Sequence, residues 1–125
     1  MNSITFSDKD IFPLLEKSSP QEFDAMDFGV VQMDLHGTIK AYNKYEPELA
    51  HINQHEAIGK NFFTQIAPCT NNFMVATKFI DAKENRDEVL DYMFTYRIKP
   101  TKVRLRLFIN PEAENQYLLV SQTLF

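Results

Sequence analysis

The spacing of apolar residues changes character several times along the chain. After Asp10, which is placed to cap, Ile11, Leu14 and Leu15 share one helical face. Pro13 falls in the first turn of that helix, where a missing N–H is tolerated. Ser19-Pro20-Gln21-Glu22 then spells a capping box with proline at the first helical position. Phe23 and Met26 give a second short apolar face. Residues 1–27 therefore read as a helical N-terminal cap, and 28–125 as the core of one domain.

Beyond the cap the period shifts toward two. Phe28 to Asp34 reads as a strand, His36-Gly37 as a turn, and Thr38 to Tyr42 as the returning strand of a hairpin. From Asn43 to Thr70 no period holds, because Pro47, Gly59 and Pro68 break the stretch into short turns. Irregular segments of this length inside a compact domain are usually functional. Asn71 or Asn72 can cap a helix to about Asn85, with Phe73, Ala76 and Ile80 on one face. Three strands follow. Leu90, Tyr92, Phe94, Tyr96 and Ile98 alternate with Asp91, Met93, Thr95 and Arg97. Val103, Leu105, Leu107 and Ile109 alternate with Lys102, Arg104 and Arg106. Gln116 to Leu124 is the last, after a turn over Asn110 to Asn115. Such alternation predicts an antiparallel sheet with one face buried. The expected fold is α+β and PAS-like: a five-stranded antiparallel sheet with the middle helices on one face and the cap over the other.

Composition narrows the function classes. The 125 residues suit one domain, and 44% hydrophobic with 13% aromatic side chains suffices for a core. A net charge of -4 gives no support to nucleic-acid binding. Without an 18-residue apolar run or a basic-then-apolar leader, the expectation is a cytoplasmic chain with no membrane partner. The single cysteine, Cys69, excludes an internal disulfide and a thiolate-based zinc site. His51 and His55 form an i, i+4 pair, but no third ligand is evident nearby, so exposed histidines are the simpler reading.

Candidate chemistry converges on Ile58 to Thr70, IGKNFFTQIAPCT. Cys69 closes this segment just ahead of the predicted helix, where the dipole favours a thiolate. Taken alone, the spacing favours the simpler reading of a small buried loop residue. The segment, however, resembles the chromophore-bearing segment of the photoactive yellow protein family. The later run YMFTYRIKPTKV, Tyr92 to Val103, resembles the same family, and the hairpin residues FGVVQMD and AYN match it in character. The resemblance covers essentially the whole chain, and its specific part is the segment around Cys69.

That resemblance implies a blue-light photoreceptor, not an enzyme. It implies p-coumaric acid (4-hydroxycinnamic acid) joined to Cys69 as a thioester and buried as a phenolate. Tyr42 and Glu46 would donate hydrogen bonds to the phenolate, and the Cys69 backbone N–H would hold the chromophore carbonyl. Phe62, Ile66, Ala67, Thr70, Phe94, Tyr96 and Ile98 would form the pocket wall. The physics is demanding. A phenol titrates near pH 10, so ionising it at neutral pH means a shift of more than about 3 units, or about 4 kcal/mol. Two hydrogen bonds to a charged oxygen, at roughly 1.5–3 kcal/mol each, can just offset that. Glu46 donates only when protonated, which an apolar pocket beside an anion favours. The family implies that light isomerises the chromophore, that Glu46 passes its proton to the phenolate, and that the stranded carboxylate drives partial unfolding in which the cap moves. Burying an unpaired charge is costly enough to do so.

The implied output is a signalling protein acting in trans, with this chain a monomer or weak dimer. A chromophore-free PAS module that binds a ligand or partner is the alternative. A cysteine-dependent enzyme is a weaker third, because no histidine has an obvious reason to sit beside Cys69. The loop near Asn85 to Glu88 is about two residues shorter than the family pattern, a tolerable surface change.

Three positions depart from the pattern in ways that matter. Ala50 stands where the family has threonine, Ile52 where it has arginine, and Ile98 where well-known members have methionine. Loss of the hydroxyl and the cation implies a visible band that is shifted or more pH-sensitive than in other members; an acid titration with an ordinary family midpoint would refute this. Ile98 implies slower dark recovery. Ile98→Met should recover faster after a flash, and equal rates would reject the idea.

Overall fold

The computed structural model of the chain describes residues 5–43, 54–94 and 101–121. Five strands form one antiparallel sheet: β1 (Gly29–Met33), β2 (Ile39–Tyr42), β3 (Arg86–Phe94), β4 (Thr101–Ile109) and β5 (Gln116–Ser121), in the order β2-β1-β5-β4-β3. The hairpin β1–β2 pairs Val31 with Tyr42, and β5 inserts between β1 and β4, pairing Val31 with Leu118 and Leu107 with Leu118. The expected α+β, PAS-like sheet is therefore present. The predicted third of the later strands forms over Gln116–Ser121, its remainder to Leu124 lying outside the described residues, and Thr38 joins Asn61 rather than β2.

Both faces of the sheet are covered, and this explains where simple alternation misleads. On one face Val31, Met33, Val103, Leu105, Leu107, Leu118 and Val120 pack with the middle segment. On the other, Val30, Tyr117 and Leu119 pack with Ile11, Leu15, Phe23, Met26 and Phe28 of the cap. Strand β5 consequently reads as an unbroken apolar run rather than an alternating one. Each fully buried Leu, Val or Phe contributes roughly 1.5–3 kcal/mol over an exposed one.

The cap consists of α1 (Ile11–Lys17) and α2 (Pro20–Asp24). The capping box forms as read: the Ser19 hydroxyl accepts from Glu22 N, and the Glu22 carboxylate accepts from Ser19 N. Asp10 occupies the N-cap of α1, but its side chain makes no capping bond. Only Ile11 and Leu15 of the expected face are buried; Leu14 is 40% exposed, rotated out by the helical step from its neighbours.

Polar contacts latch the cap to the sheet. Arg106, which alternation places on the face opposite Val103, Leu105 and Leu107, is 4% exposed. It lies under the cap, paired with Asp87 through two bonds of 2.8 Å, and its Nη1 donates to the carbonyls of Phe6 (2.8 Å) and Asp8 (2.7 Å). Phe12 stacks on Phe108 at 5.1 Å between centroids. The Tyr117 hydroxyl donates to Glu16 of α1 and accepts from Gln32 Nε2 at 2.7 Å. Asn43 closes the same region: its amide nitrogen donates to the carbonyls of Phe23 (2.7 Å) and Phe28 (3.0 Å), and its oxygen accepts from Val30 N (2.9 Å).

Among the described residues, two further α-helices form, α3 (Gln54–Ala57) and α4 (Ala76–Ile80). The helix expected to reach Asn85 ends at Ile80, because strand pairing resumes at Arg86 opposite Ile109. Its buried face is Val75, Ala76 and Phe79, whereas Phe73 and Ile80 are 78% and 51% exposed. Asn72 caps the turn leading into α4 with Met74 N and Val75 N, and that sets the helix rotation. Residues 86–88, expected in a loop, belong to β3. No helix among the described residues is long and apolar enough to cross a membrane.

Burial, followed by the bond to Glu16, pushes the Tyr117 phenol well above its ordinary value. The fold thus favours the protonated form. Its contribution is complete below the unfolded-state value of 10.0 and declines as pH rises beyond it. Tyr117→Phe should cost about 1 kcal/mol at neutral pH. Between about pH 9 and about pH 11 its thermal midpoint should fall less than that of the wild type, measured by circular dichroism. Parallel losses in both would refute the latch.

Candidate functional site

The irregular middle segment is placed by the β1–β2 turn. Asp34 Oδ1 accepts from His36 N (2.9 Å) and Thr38 N (3.0 Å), which fixes the turn. Gly37 takes a φ of +94°, a conformation other residues avoid, and a Cβ there would lie 2.6 Å from the Phe63 ring. Gly37 O accepts from Phe62 N at 2.8 Å. Beyond it, Gly59 N donates to Ile39 O (2.8 Å) and Ile39 N to Lys60 O (2.9 Å), so residues 59–61 run along the outer edge of β2.

Asn61 then starts a wide turn over Phe62–Ile66. Its side-chain oxygen accepts from Phe63 N (3.0 Å) and Thr64 N (3.1 Å), and its amide donates to His36 O (2.8 Å). The turn has a π-helical closure, Ala67 N to Phe62 O at 2.7 Å. Single π turns of this kind recur at functional sites. This one directs Phe62, Phe63 and Ile66 into the core.

Pro68 opens a single 3₁₀ turn, Pro68–Thr70, that carries Cys69. Ala67 O accepts from both Thr70 N (2.9 Å) and Thr70 Oγ1 (2.6 Å). Cys69 is half-buried and packs against the cluster that holds Tyr42, Phe62, Ile66 and Ala67. Tyr42 is 3% exposed, and Thr70 is fully buried beside them in sequence. Four of the sequence-predicted residues, Tyr42, Phe62, Ile66 and Ala67, thus belong to the apolar cluster against which Cys69 packs, and Thr70 follows it on the same turn.

The remaining predicted residues divide. Phe94 ends β3, paired with Thr101; nothing is described of its side chain. Glu46, Tyr96 and Ile98 lie outside the described residues, as do Ala50, His51 and Ile52. His55 is exposed, and among the described residues no three His, Cys, Asp or Glu side chains are placed to hold a metal. The dipole argument for Cys69 does not carry over, because α4 starts only at Ala76.

Two residues that sequence reasoning did not assign to the site sit directly on the Cys69 carbonyl. The Tyr92 hydroxyl donates to it at 2.5 Å and Asn72 Nδ2 at 3.1 Å. Asn72 Nδ2 also donates to Tyr92 Oη at 2.6 Å. Tyr92 further lines a recess of about 440 Å³ together with Asp91, Met93, Lys102 and Val103. A signal for Tyr92 was available: alternation places it on the core face, where a phenolic hydroxyl needs a partner. The arrangement offers one half-buried thiol on a pinned turn beside an apolar cluster that contains a buried phenol.

No protein-family model matches the chain. It is 37% identical over 109 residues to the photoactive yellow protein of Rhodothalassium salexigens, covering 86% of this chain and 87% of that one. Among solved structures it is similar to the photoactive yellow protein domain of the sensor histidine kinase Ppr from Rhodospirillum centenum, with a TM-score of 0.79, 30% identity, and coverage of 86% of this chain and 96% of that domain. The PAS domain of an HTR-like protein from Haloarcula marismortui shares the fold at a TM-score of 0.60 and 17% identity, covering 84% of this chain and 93% of that one.

Proposed function

The chain belongs to the photoactive yellow protein family, and from that membership we propose that it is a blue-light photoreceptor with p-coumaric acid held as a thioester on Cys69. The observation that supports the reading is Cys69 itself: a half-buried thiol on a pinned turn, packed against the apolar cluster to which Tyr42, Phe62, Ile66 and Ala67 belong. These residues fit a planar aromatic guest, because the wall is apolar and one buried phenol supplies the polar end.

When bound, the group supplies visible absorption and a double bond that light can isomerise. The protein supplies the rest. Tyr42, buried at the end of β2, would hold the guest's phenolic oxygen through its hydroxyl. Glu46, by family position, would share that oxygen as a neutral acid and be the group that can yield a proton to it. Phe62, Ile66, Ala67 and Thr70, with Phe94, Tyr96 and Ile98 by family position, would exclude water from it. A Glu46 carboxylate left in such surroundings would be an unpaired buried charge, which is costly enough to loosen the fold. The N-terminal cap is the part that moves, since it is joined to the sheet by a separate apolar cluster. The output passes to a signalling protein in trans. The photoactive yellow protein domain of Ppr belongs to a sensor histidine kinase, and a signalling partner of that kind suits this chain. We place the chain in the cytoplasm, as a sensor and not a catalyst.

Incubation with activated p-coumarate should turn the wild type yellow and add one chromophore mass. Cys69→Ala should do neither. A wild type that stays colourless would favour a chromophore-free PAS module that binds a ligand or partner.

A further inference from the structure

Resting on the reading of Cys69 as the anchor, we propose that Asn72 and Tyr92 are positioning residues that clamp the Cys69 carbonyl and thereby fix the orientation of the anchor peptide. The peptide group between Cys69 and Thr70 is held at both ends. Its oxygen accepts from Tyr92 Oη (2.5 Å) and Asn72 Nδ2 (3.1 Å), while its N–H, that of Thr70, donates to Ala67 O (2.9 Å). The preceding peptide is held too, since Pro68 O accepts from Asn71 N at 3.0 Å, so the backbone torsions on both sides of the Cys69 Cα are constrained. The sulfur then has only its side-chain rotamer left to choose.

The clamp closes on itself, since Asn72 Nδ2 also donates to Tyr92 Oη at 2.6 Å. It also joins three elements. The Asn72 oxygen caps the turn into α4 through Met74 N and Val75 N, Tyr92 belongs to β3 opposite Val103, and the carbonyl belongs to the 3₁₀ turn. A reorientation of the anchor peptide must break bonds to both the helix and the strand. The clamp therefore resists motion of the anchor while the attached group moves, and sets how fast the dark geometry is regained.

Two conservative variants separate clamping from general support. Tyr92→Phe keeps the ring and loses the hydroxyl. Asn72→Ser keeps a capping oxygen but has no amide to reach the carbonyl. In the apoprotein, each should speed amide exchange at Thr70 and Asn71 by about tenfold, the loss expected for one good hydrogen bond, with exchange at Val30 and Leu119 unchanged. The double variant should add little to either single, because the two side chains form one unit. In chromophore-loaded protein each single variant should change dark recovery by about threefold or more, as read from the visible band after a flash. Wild-type exchange at Thr70 and Asn71, or equal acceleration across the sheet, would overturn the clamp. A wild type that takes up no chromophore would sink the anchor reading instead, and the apoprotein exchange would still decide whether the clamp exists.

Discussion

One buried amide holds the two halves of the structure in register. Asn43 is 1% exposed, and its side chain meets the end of α2, the entry to β1 and the first amide of the hairpin all at once. Its own N–H donates to Val30 O at 3.2 Å, so it continues the strand ladder while its side chain reaches across to the cap. Any of these groups left unmatched would cost about 1–3 kcal/mol. The preceding residue is Tyr42, so the geometry of this junction also fixes where the buried phenol points. Cap, sheet and site therefore share a single reference point.

The strands and their hairpins were legible because period-two alternation reports burial directly. It worked best on β4, where Val103, Leu105, Leu107 and Ile109 are all buried. At Arg106 it was silent, because alternation records only that a side chain points away from one core. The cap expected over the other face makes that position interior, and alternation does not show that a guanidinium is buried there. The helix after Cys69 was misjudged for a different reason. Asn72 starts its capping turn in a way that rotates Phe73 outward, and spacing alone cannot show where a helical turn begins.

The site was legible through resemblance more than through period. The irregular stretch from Asn43 to Thr70 has no repeating pattern, and in its described part the turns are held by different side chains, Asn61 at the π turn and Thr70 at the 3₁₀ turn. Asn72 was recognisable as a cap from its type and position. Its second task was not, because an amide has two ends and sequence reveals the use of only one. Tyr92 likewise looked like core, and its ring is core; only its hydroxyl belongs to the site.

The grip of Arg106 on the cap has a consequence for how this sequence can diverge. The guanidinium holds residues 6 and 8 by their main-chain carbonyls, not by their side chains. Every amino acid presents the same carbonyl, so this grip is blind to identity at both positions. Position 8 can therefore change its side chain without loosening this grip, provided that Arg106 and Asp87 persist together, whereas Phe6 is fastened a second time by its ring, packed edge-on against Phe28 at 6.0 Å. At position 8 surface chemistry and fastening are thereby free to evolve separately.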